Sequence, residues 1–569
     1  MLSGQEAKGE LERELANEHN LPPLLARLFA ARWQNDPSVS APYLSPRIEE
    51  LNGLGASPAL PEILAHLKKA RAENLPVLFY GDYDVDGVLA VCILFLVSQQ
   101  LGMKSGYFLP SRFKEGYGLN QRVVQRTAEK GYRVLFALDC GTSNKKEVDL
   151  AHELGLTVVC LDHHAPAGDV PDMPLINPHL QDGIDPMCTA GMAYCFAREW
   201  LAAEGEDPSL ADKNFLDLAA LGTIGDVVPL VGDNFILAHV GMQRIPQSPH
   251  PGLRAMLRAL KLGAMEFLTW RDLAFKLVPA LNAAGRMAHA RLAAELFLAR
   301  DEKAATTLAA QLVRLNWERR DTQDRVHNEA AQQALSQEGA AVLVLYKPDW
   351  NQGVTGIVAA KIAEAFGRPA LILSDLDSEE GVSVGSGRAP SEVNLLATLE
   401  PVRGVATRLG GHAAAAGMTV PTAAIPELRS LLHDAVAVRL AGVKPDEPFE
   451  CEAEPDELGD GLVPALMDLY PFGEGHPPPR IRLRNARVER ARLVGQDKTH
   501  LMLSIRRSGA SLLRVIGFRK SHLANRLLEG TTCDLDVELD LDNYQNRVGL
   551  QLGLIGLAGE ESASEQAQV

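Results

Sequence analysis

Three carboxylates in one short segment are the residues whose types and spacing most directly suggest chemistry. Asp82, Asp84 and Asp86 lie at alternating positions within Gly81–Gly87. Like charges this close raise one another's pKa unless a cation neutralises them. Hard divalent cations such as Mg²⁺ and Mn²⁺ bind through carboxylate oxygens. The spacing therefore favours a divalent-cation site, while a solvated acidic turn with Asp86 capping a helix remains the alternative.

The elements around these carboxylates are predicted from the hydrophobic pattern. The apolar run Val77–Tyr80 is typical of a buried strand, and residues 87–101 are predicted to form a helix. Further strands are predicted at Tyr107–Leu109, Val134–Leu138 and Thr157–Leu161, with helices at 120–130 and 144–154. This alternation indicates a mostly parallel sheet with helices on its faces. Ligands of such sheets bind beyond the carboxyl ends of the strands.

Polar side chains follow two more of the predicted strands. Asp139 follows one strand, and the triplet Asp162-His163-His164 follows another. If these strands are neighbours, Asp84, Asp86, Asp139 and His163 converge on one crevice.

A further acid, Asp226, lies in the apolar segment Gly222–Leu230, where burial would require a partner. Four or five carboxylates with an imidazole suit a pair of divalent cations. Two such cations about 4 Å apart can activate a water and stabilise the leaving oxygen of a phosphoester. A histidine among the carboxylates favours tolerance of Mn²⁺.

Three segments with small residues and a basic or imidazole side chain are candidates for phosphate binding. Arg112 lies in the loop Leu109–Gly118, which could equally be an ordinary surface loop. Gly385–Arg388 would let backbone amides and a guanidinium approach an anion together. Gly410–Gly417, which contains His412, suggests close approach of backbone to ligand or a tightly packed helix start.

Arg286 lies in Pro279–Met287, a segment predicted to interrupt a mostly helical region. It could reach a phosphate, or serve as a surface or ion-pairing residue. Asp301–Glu338 lacks Gly and Pro and predicts either one connecting helix or two helices broken near Trp317. One helix of about 38 residues would span about 57 Å.

The last two predicted units differ in pattern. A second α/β unit begins at Ala341, and short alternating strands after residue 445 predict a small closed β-barrel. Arg480–Lys520 contains twelve Lys or Arg and two acids in a chain of net charge −17. An OB-fold with such a basic groove would bind single-stranded nucleic acid. With only Phe518 and Tyr544 available for stacking, binding would be mainly electrostatic.

Composition and short motifs exclude several protein classes. No Walker A motif is present, which argues against a nucleotide-driven motor. No apolar run is long enough to predict a transmembrane helix, and the polar start of the chain does not predict a secretory signal. Seven scattered cysteines without a C-x-x-C pair indicate reduced thiols. We therefore expect a cytoplasmic protein without a membrane partner.

The chemistry-bearing motifs also carry a family resemblance. Four motifs resemble, in their order along the chain, those of the DHH phosphoesterase superfamily, and most closely those of its single-strand-specific 5′→3′ DNA exonucleases. The four motifs are Gly81–Gly87, Asp139–Gly141, Asp162–His164 and Gly222–Leu230. Tyr80 stands where some members of the superfamily place a metal-binding histidine. This difference suits the exonuclease branch rather than the pyrophosphatases.

The resemblance implies a role for each matched residue. The implied ligands of two Mn²⁺ or Mg²⁺ ions are Asp84, Asp86, Asp139, His163 and Asp226, with Asp82 as a ligand or a neighbour of the ligands. Asp162 would orient an imidazole, and His164 would contact the scissile phosphate. The implied contacts to the substrate nucleotide and its phosphates are Arg112, Ser386, Arg388 and His412.

The hydrophobic pattern and composition predict a helical lead-in and a disordered tail, and together with the resemblance they predict an organisation for the whole chain. The expected units are a helical lead-in (1–45), a parallel-sheet DHH catalytic domain (46–235), a helical connector (236–340), an α/β DHH-associated domain (341–444), an OB-fold barrel (445–557) and a disordered tail (558–569).

The implied activity is metal-dependent 5′→3′ hydrolysis of single-stranded DNA by water, in repair and recombination. The implied protein is a monomer that cooperates with single-strand-binding protein and a helicase. Two alternatives remain. One is a phosphodiesterase acting on oligoribonucleotides or cyclic dinucleotides, which has no need of a basic barrel. The other is a non-catalytic DNA-binding scaffold, which has no need of the complete carboxylate set.

Overall fold

The strand that precedes the three carboxylates lies inside a five-stranded parallel sheet. In this computed structural model, the described residues are 4–33, 43–376, 379–435, 438, 449–495, 497–509, 511–544 and 547–558. The strands are β1 (Val77–Tyr80), β2 (Ser105–Phe108), β3 (Val134–Leu138), β4 (Thr157–Leu161) and β5 (Leu175–Ile176), in the order β2-β1-β3-β4-β5. Every neighbouring pair is parallel, so the carboxyl ends share one edge.

Helices precede this sheet and cover both of its faces. They are α1 (Gly4–Asn17), α2 (Pro23–Arg32), α3 (Leu60–Ala72), α4 (Val85–Gln100), α5 (Gln121–Glu129), α6 (Lys145–Glu153), α7 (Thr189–Ala203), α8 (Ser209–Gly225) and α9 (Asp233–Met242). Helix α4 is apolar around nearly its whole circumference and is buried between the sheet and α7 and α8. The predicted parallel α/β architecture is confirmed.

A helical region leads away from this sheet and ends in one long helix. It contains α10 (Pro251–Ala259), a short turn with a π-helical segment (270–277), α11 (Val278–Met287), α12 (Arg291–Leu298) and α13 (Glu302–Leu335). Helix α13 is continuous past Trp317, whose side chain is 68% exposed. The prediction that Pro279–Met287 interrupts the helices was wrong. Pro279 lies in the first helical turn, where its missing N–H group is not needed.

The second sheet is mixed and carries the glycine-rich segments. Its strands are β6 (Leu343–Tyr346), β7 (Ala370–Asp375), β8 (Val382–Arg388), β9 (Arg408–Gly411) and β10 (Ala415–Pro421), in the order β6-β7-β8-β10-β9. Its helices are α14 (Gln352–Phe366), α15 (Leu395–Thr398) and α16 (Ile425–His433). Gly385–Arg388 lies in strand β8, and Gly410–Gly417 forms the β9–β10 hairpin rather than a helix start.

The third unit is a closed barrel. It contains β11 (Cys451–Ala453), α17 (Val463–Asp468), β12 (Arg480–Val494), β13 (His500–Arg506), β14 (Leu512–Gly517), β15 (Thr532–Tyr544) and β16 (Arg547–Leu557). Strand β12 pairs with both β13 and β15, which closes five strands in the order expected of an OB-fold. The predicted OB-fold is confirmed. The tail from residue 559 and the side chain of Tyr544 lie outside the described residues.

The barrel is joined to helix α2 and to the turn at residues 270–277 by partly buried polar contacts. Arg32 of α2 pairs with Glu450 at 2.6 Å. The indole N–H of Trp270 donates to Asp540 at 3.2 Å, and Arg271 Nε donates to the same carboxylate at 2.8 Å. These contacts give the barrel a defined position beside the parallel sheet. Over the described ranges, no helix combines the length and the apolar character needed to cross a bilayer.

Candidate functional site

The turn between β1 and α4 is folded by one of its own acids. The Asp84 carboxylate accepts from the backbone N–H groups of Asp86 and Gly87 at 3.1 and 3.3 Å, so Asp84 rather than Asp86 caps the helix. A Cβ atom on Gly87 would lie 2.6 Å from the Asp82 nitrogen and 3.0 Å from an Asp139 carboxylate oxygen. Glycine is therefore required where this turn meets the end of β3.

Asp86 is held by the start of a second helix. Its carboxylate accepts from the backbone N–H groups of Thr189 and Ala190, both at 2.7 Å, at the N-terminus of α7. Free N–H groups and the helix dipole favour an anion there. The Thr189 hydroxyl also donates to Asp139 at 3.0 Å. Sequence reasoning missed Thr189, although small residues opening an apolar helix were a usable signal.

Asp139 has a backbone conformation that few non-glycine residues adopt. It has φ +62° and is buried at the end of β3. Its N–H donates to the Leu161 carbonyl at 3.0 Å, which ties the ends of β3 and β4 together. The Tyr117 hydroxyl donates to the Asp139 carbonyl at 3.2 Å. These bonds fix the direction in which the Asp139 carboxylate faces.

His163 lies at the centre of the acids. Its Nε2 atom is 3.4 Å from Asp139, 3.4 Å from Asp226 and 3.8 Å from Asp86. Asp226 reaches this position because it directly follows α8. Three sets of possible ligand atoms lie within 4.8 Å of one another: Asp139, His163 and His164; Asp86, His163 and Asp226; and Asp82, Asp84 and Asp139. The structure thus brings all six predicted metal ligands together.

The acids in this crevice repel one another. Burial, with the charge of Asp84, raises the pKa of Asp82, and burial, with the charge of Asp86, raises the pKa of Asp84. Burial, with the charge of Asp86, raises the pKa of Asp139, and burial with the nearby acids raises the pKa of Asp226 to about 9. Burial lowers the pKa of His163. The crevice therefore favours protonated acids and a neutral imidazole until a cation binds.

Asp162 and His164 form a separate pair at the rim. His164 Nδ1 lies 2.8 Å from the Asp162 carboxylate, which also accepts from the Thr142 N–H at 3.0 Å. Burial opposes ionisation, but the bond to His164 outweighs it and lowers the pKa of Asp162 to about 2. Burial also lowers the pKa of His164, but Asp162 outweighs this effect and raises it. Asp162 therefore favours the protonated form of His164, whose side chain is 45% exposed.

Three arginines from different elements lie where the first lobe, the parallel sheet with its helices (46–235), faces the second lobe, the mixed sheet with its helices (341–444). Arg112 stacks on the Tyr83 ring at 4.0 Å, and its buried Nε has no hydrogen-bond partner among the described residues. Arg286 of α11 donates to the Gly353 carbonyl of α14 at 3.2 Å. Burial and the charge of Arg112 lower the pKa of Arg286 to about 10, and the same two causes lower that of Arg388. The three guanidiniums form a positive cluster.

Ser386 and His412 are placed differently with respect to this cluster. A Cβ atom on Gly356 would lie 3.5 Å from Arg388 Nη2 and 3.6 Å from Ser386 Oγ, so these two side chains are adjacent. His412 lies exposed in the β9–β10 turn. Its ring is contacted by the Ala414 N–H at 3.3 Å. The hairpin register places this turn beside Arg388, and the described contacts do not join His412 to the other candidates.

Comparison with known proteins finds a matching family domain for each of the three sheet-containing units. The chain matches the DHH family N-terminal domain over residues 76–223, the DHHA1 domain over 339–438 and the RecJ OB domain over 449–555. It is 33% identical to the single-stranded-DNA-specific exonuclease RecJ of Dickeya dadantii (strain 3937), over 94% of this chain and 95% of that protein. The chain belongs to the RecJ family.

Solved structures of this family resemble the fold and contain metal. The crystal structure of RecJ from Thermus thermophilus in complex with Mn²⁺ matches 97% of this chain and 78% of that chain, with a TM-score of 0.77 and 26% identity. The Mg²⁺ complex matches 97% and 77%, with a TM-score of 0.70 and 25% identity.

The donors of this RecJ-family chain fit the same two ions. Buried Asp82 Oδ1 and His163 Nε2 have no hydrogen-bond partner among the described residues. Carboxylate oxygens with one neutral imidazole nitrogen are a donor set that accepts Mn²⁺ as well as Mg²⁺. The predicted cofactor, Mn²⁺ or Mg²⁺, is confirmed by the metal-bound relatives and by these clusters.

Metal removal is expected to make the stability of this protein fall as pH rises. A carboxyl whose pKa is about 9 in the folded state, as for Asp226, keeps a proton that the unfolded chain has lost above about pH 4. Because the folded state then binds more protons, the free energy of unfolding decreases between those two values. Thermal unfolding in EDTA from pH 5 to 9 measures this slope.

Adding Mn²⁺ should reverse this pH dependence, because binding displaces the protons. Titration calorimetry in buffers of different ionisation enthalpy should then record proton release at pH 7. Equal melting temperatures in EDTA across the pH range, with no proton release, would contradict the geometry described for the crevice.

Proposed function

We propose that this chain is a metal-dependent exonuclease that hydrolyses single-stranded DNA from the 5′ end, with water as the nucleophile, in DNA repair and recombination. The observation that carries the proposal is the meeting of two oppositely charged groups of side chains. Acids and His163 gather at the edge of the parallel sheet, and the arginines gather at the junction of the lobes. A Cβ atom on Gly285 would lie 2.4 Å from the Tyr83 carbonyl oxygen, so the segment that contains Arg286 adjoins the turn that contains Asp84.

Each candidate side chain has a distinct part in this proposal. Two divalent cations would be held by Asp82, Asp84, Asp86, Asp139, His163 and Asp226. When bound, the cations would supply Lewis-acid activation of water and neutralise charge on the phosphate. The cationic His164, held by Asp162, would contact a non-bridging oxygen of the scissile phosphate. The groups proposed to bind the phosphates beside the cut are Arg112, Arg286, Ser386, Arg388 and His412.

The barrel offers a surface for the rest of the strand, but not along all of its basic segment. Arg482 pairs with Asp536 at 2.8 Å, and Arg484 pairs with Asp534 at 2.7 Å, so acids of β15 neutralise much of β12. Beside the neighbouring strands, the exposed Phe518, which directly follows β14, has its ring 5.5 Å from that of His500 at the start of β13. We propose that single-stranded DNA follows the β13–β14 face, where an aromatic ring is accessible for stacking.

The division of the chain follows from the same proposal. We propose functional units at residues 1–45, 46–235, 236–340, 341–444, 445–557 and 558–569, and the three matched family domains lie within or close to these limits. We also propose a cytoplasmic monomer that acts with single-strand-binding protein and a helicase. Free thiols at all seven cysteines support the cytoplasmic assignment.

A phosphodiesterase of dinucleotides remains the second candidate, because the metal crevice alone would suffice for it. A single assay separates the two activities. The protein is incubated in Mn²⁺ or in EDTA with single strands labelled at the 5′ or the 3′ end, with a blunt duplex and with a dinucleotide. We expect metal-dependent release of mononucleotide from the 5′ label at once and from the 3′ label late. Exclusive cleavage of the dinucleotide would favour the second candidate, and early release of the 3′ label would reverse the proposed polarity.

A further inference from the structure

The connector helix α13 contains the buried guanidinium of Arg319, which has no part in the proposed reaction. Arg319 is 7% exposed, and its partners on the same helix, Asn316 and Gln323, are each 6% exposed. Arg319 Nε donates to the Asn316 side-chain oxygen at 3.1 Å, and Nη1 donates to the Gln323 side-chain oxygen at 2.8 Å. Among the described residues, no carboxylate lies within ion-pairing distance of it. Arg319 is a buried cation with neutral hydrogen-bond partners.

This cation lies at the junction of the two lobes. Helix α13 packs against α11, which contains Arg286, and against α14, the first helix of the second lobe. The lobes touch closely there, since a Cβ atom on Gly353 would lie 2.0 Å from the Arg286 carbonyl oxygen. The positive charge of Arg319 contributes to the lowered pKa of Arg286. Arg319 and Arg286 are therefore electrostatic neighbours.

The charge environment of Arg319 adds little compensation. Burial is the main cause that lowers its pKa, and the charge of Arg320 lowers it further. Asp324 opposes them only weakly and is itself 3.8 Å from Lys361. Burying a charge is unfavourable unless an opposite charge is close, and the cost increases beside a second cation. A packing role would be met equally well by an uncharged side chain.

We propose that Arg319 is a positioning residue for substrate phosphate. It holds a positive charge, without a carboxylate partner among the described residues, beside Arg286 at the junction of the lobes. A phosphate group of the DNA would be the counter-ion of this pair and would stabilise the contact between the two lobes. This inference rests on the proposed function, because it assigns the phosphate to the same cleft. It adds the connector helix to the elements that select an anionic ligand.

Inorganic phosphate is a sufficient probe of this role. Thermal unfolding of the full chain in Mg²⁺ is compared in sodium phosphate and in sodium chloride at equal ionic strength. A ligand that binds only the folded state raises the melting temperature according to its affinity. Arg319→Gln removes the charge and is expected to weaken phosphate binding about tenfold, because the bound anion loses one favourable electrostatic interaction. Arg319→Lys keeps the charge and should retain most of the shift.

Two further variants separate this role from a structural one. Asn316→Asp supplies a carboxylate next to Arg319, so it should raise the melting temperature in chloride and reduce the shift given by phosphate. Arg320→Gln removes an exposed charge one residue away and should leave that shift unchanged. If Arg319→Gln and Asn316→Asp both kept the full phosphate shift, Arg319 would be structural. The proposed function is judged separately, by whether the wild-type protein hydrolyses the labelled single strands.

Discussion

Replacing Asp139 by asparagine is expected to lower kcat for hydrolysis of single-stranded DNA by about a thousandfold or more. The amide would keep an oxygen for the Thr189 hydroxyl, now 3.0 Å from Asp139, so the local fold should survive. The substitution would remove the negative charge that lies 3.4 Å from His163 at the centre of the proposed ligands. Single-turnover hydrolysis of a 5′-labelled strand in Mn²⁺ measures the loss.

The matched control for this substitution is Asp149→Asn. Asp149 is an exposed acid on α6 that pairs with Lys145 at 3.1 Å, so the change in net charge is the same. Its kcat should stay within a factor of two, since surface pairs contribute little. DNA binding by Asp139→Asn, followed by fluorescence anisotropy, should persist. If Asp139→Asn hydrolysed DNA at the wild-type rate, the acidic crevice would not be the catalytic site. The alternative of a non-catalytic DNA-binding scaffold would then be favoured for this part of the chain.

Asp139→Asn should also stabilise the protein in EDTA. Removing one of several mutually repelling buried acids relieves an unfavourable interaction that exists only without a cation. A higher melting temperature in EDTA combined with lost activity would show that the site sacrifices stability for metal binding.

The parallel sheet was predictable because its strands are short, apolar and buried on both faces. The predicted limits of β1, β3 and β4 match the structure, and an aspartate follows each of these strands within two residues. In a parallel sheet these ends must share one edge, so the gathering of Asp84, Asp139 and His163 followed from local patterns once the strands were assumed to be neighbours.

The position of Asp226 could not be predicted from local sequence patterns. It reaches the crevice from the end of a helix, and no strand rule places it there. Its position depends on how α8 packs against α4, a tertiary contact that the sequence pattern does not encode. The resemblance to a known family supplied this residue's role before the structure supplied its geometry.

The basic segment of the barrel was overestimated for a related reason. Counting charges along Arg480–Lys520 ignores the strand paired with it, and β15 supplies acids opposite several of the arginines. Sequence-local charge therefore predicted a basic strand correctly but not a basic surface. Arg319 was missed for the opposite reason, since a charged residue on a long helix is usually assigned to its solvent-exposed face.

Replacing His164 by glutamine should lower kcat by about a hundredfold to a thousandfold, with a smaller effect on KM. The imidazole lies at the rim of the crevice, 3.8 Å from Asp139, and its partner Asp162 favours its protonated form. A cation that contacts a non-bridging oxygen matters most when negative charge on the phosphate increases in the transition state. Glutamine can still donate a hydrogen bond but carries no charge.

The pH dependence of kcat separates this role from a merely structural one. Because Asp162 raises the pKa of His164, wild-type kcat should decline only above the usual range of histidine as the imidazolium loses its proton. Asp162→Asn removes the partner and should move this alkaline decline to lower pH. His164→Gln should abolish the decline attributable to this group. An equal loss of kcat at every pH in Asp162→Asn would contradict this assignment. It would mean that Asp162 matters as the hydrogen-bond acceptor of the Thr142 backbone N–H, and that the charge of His164 has no part in the reaction.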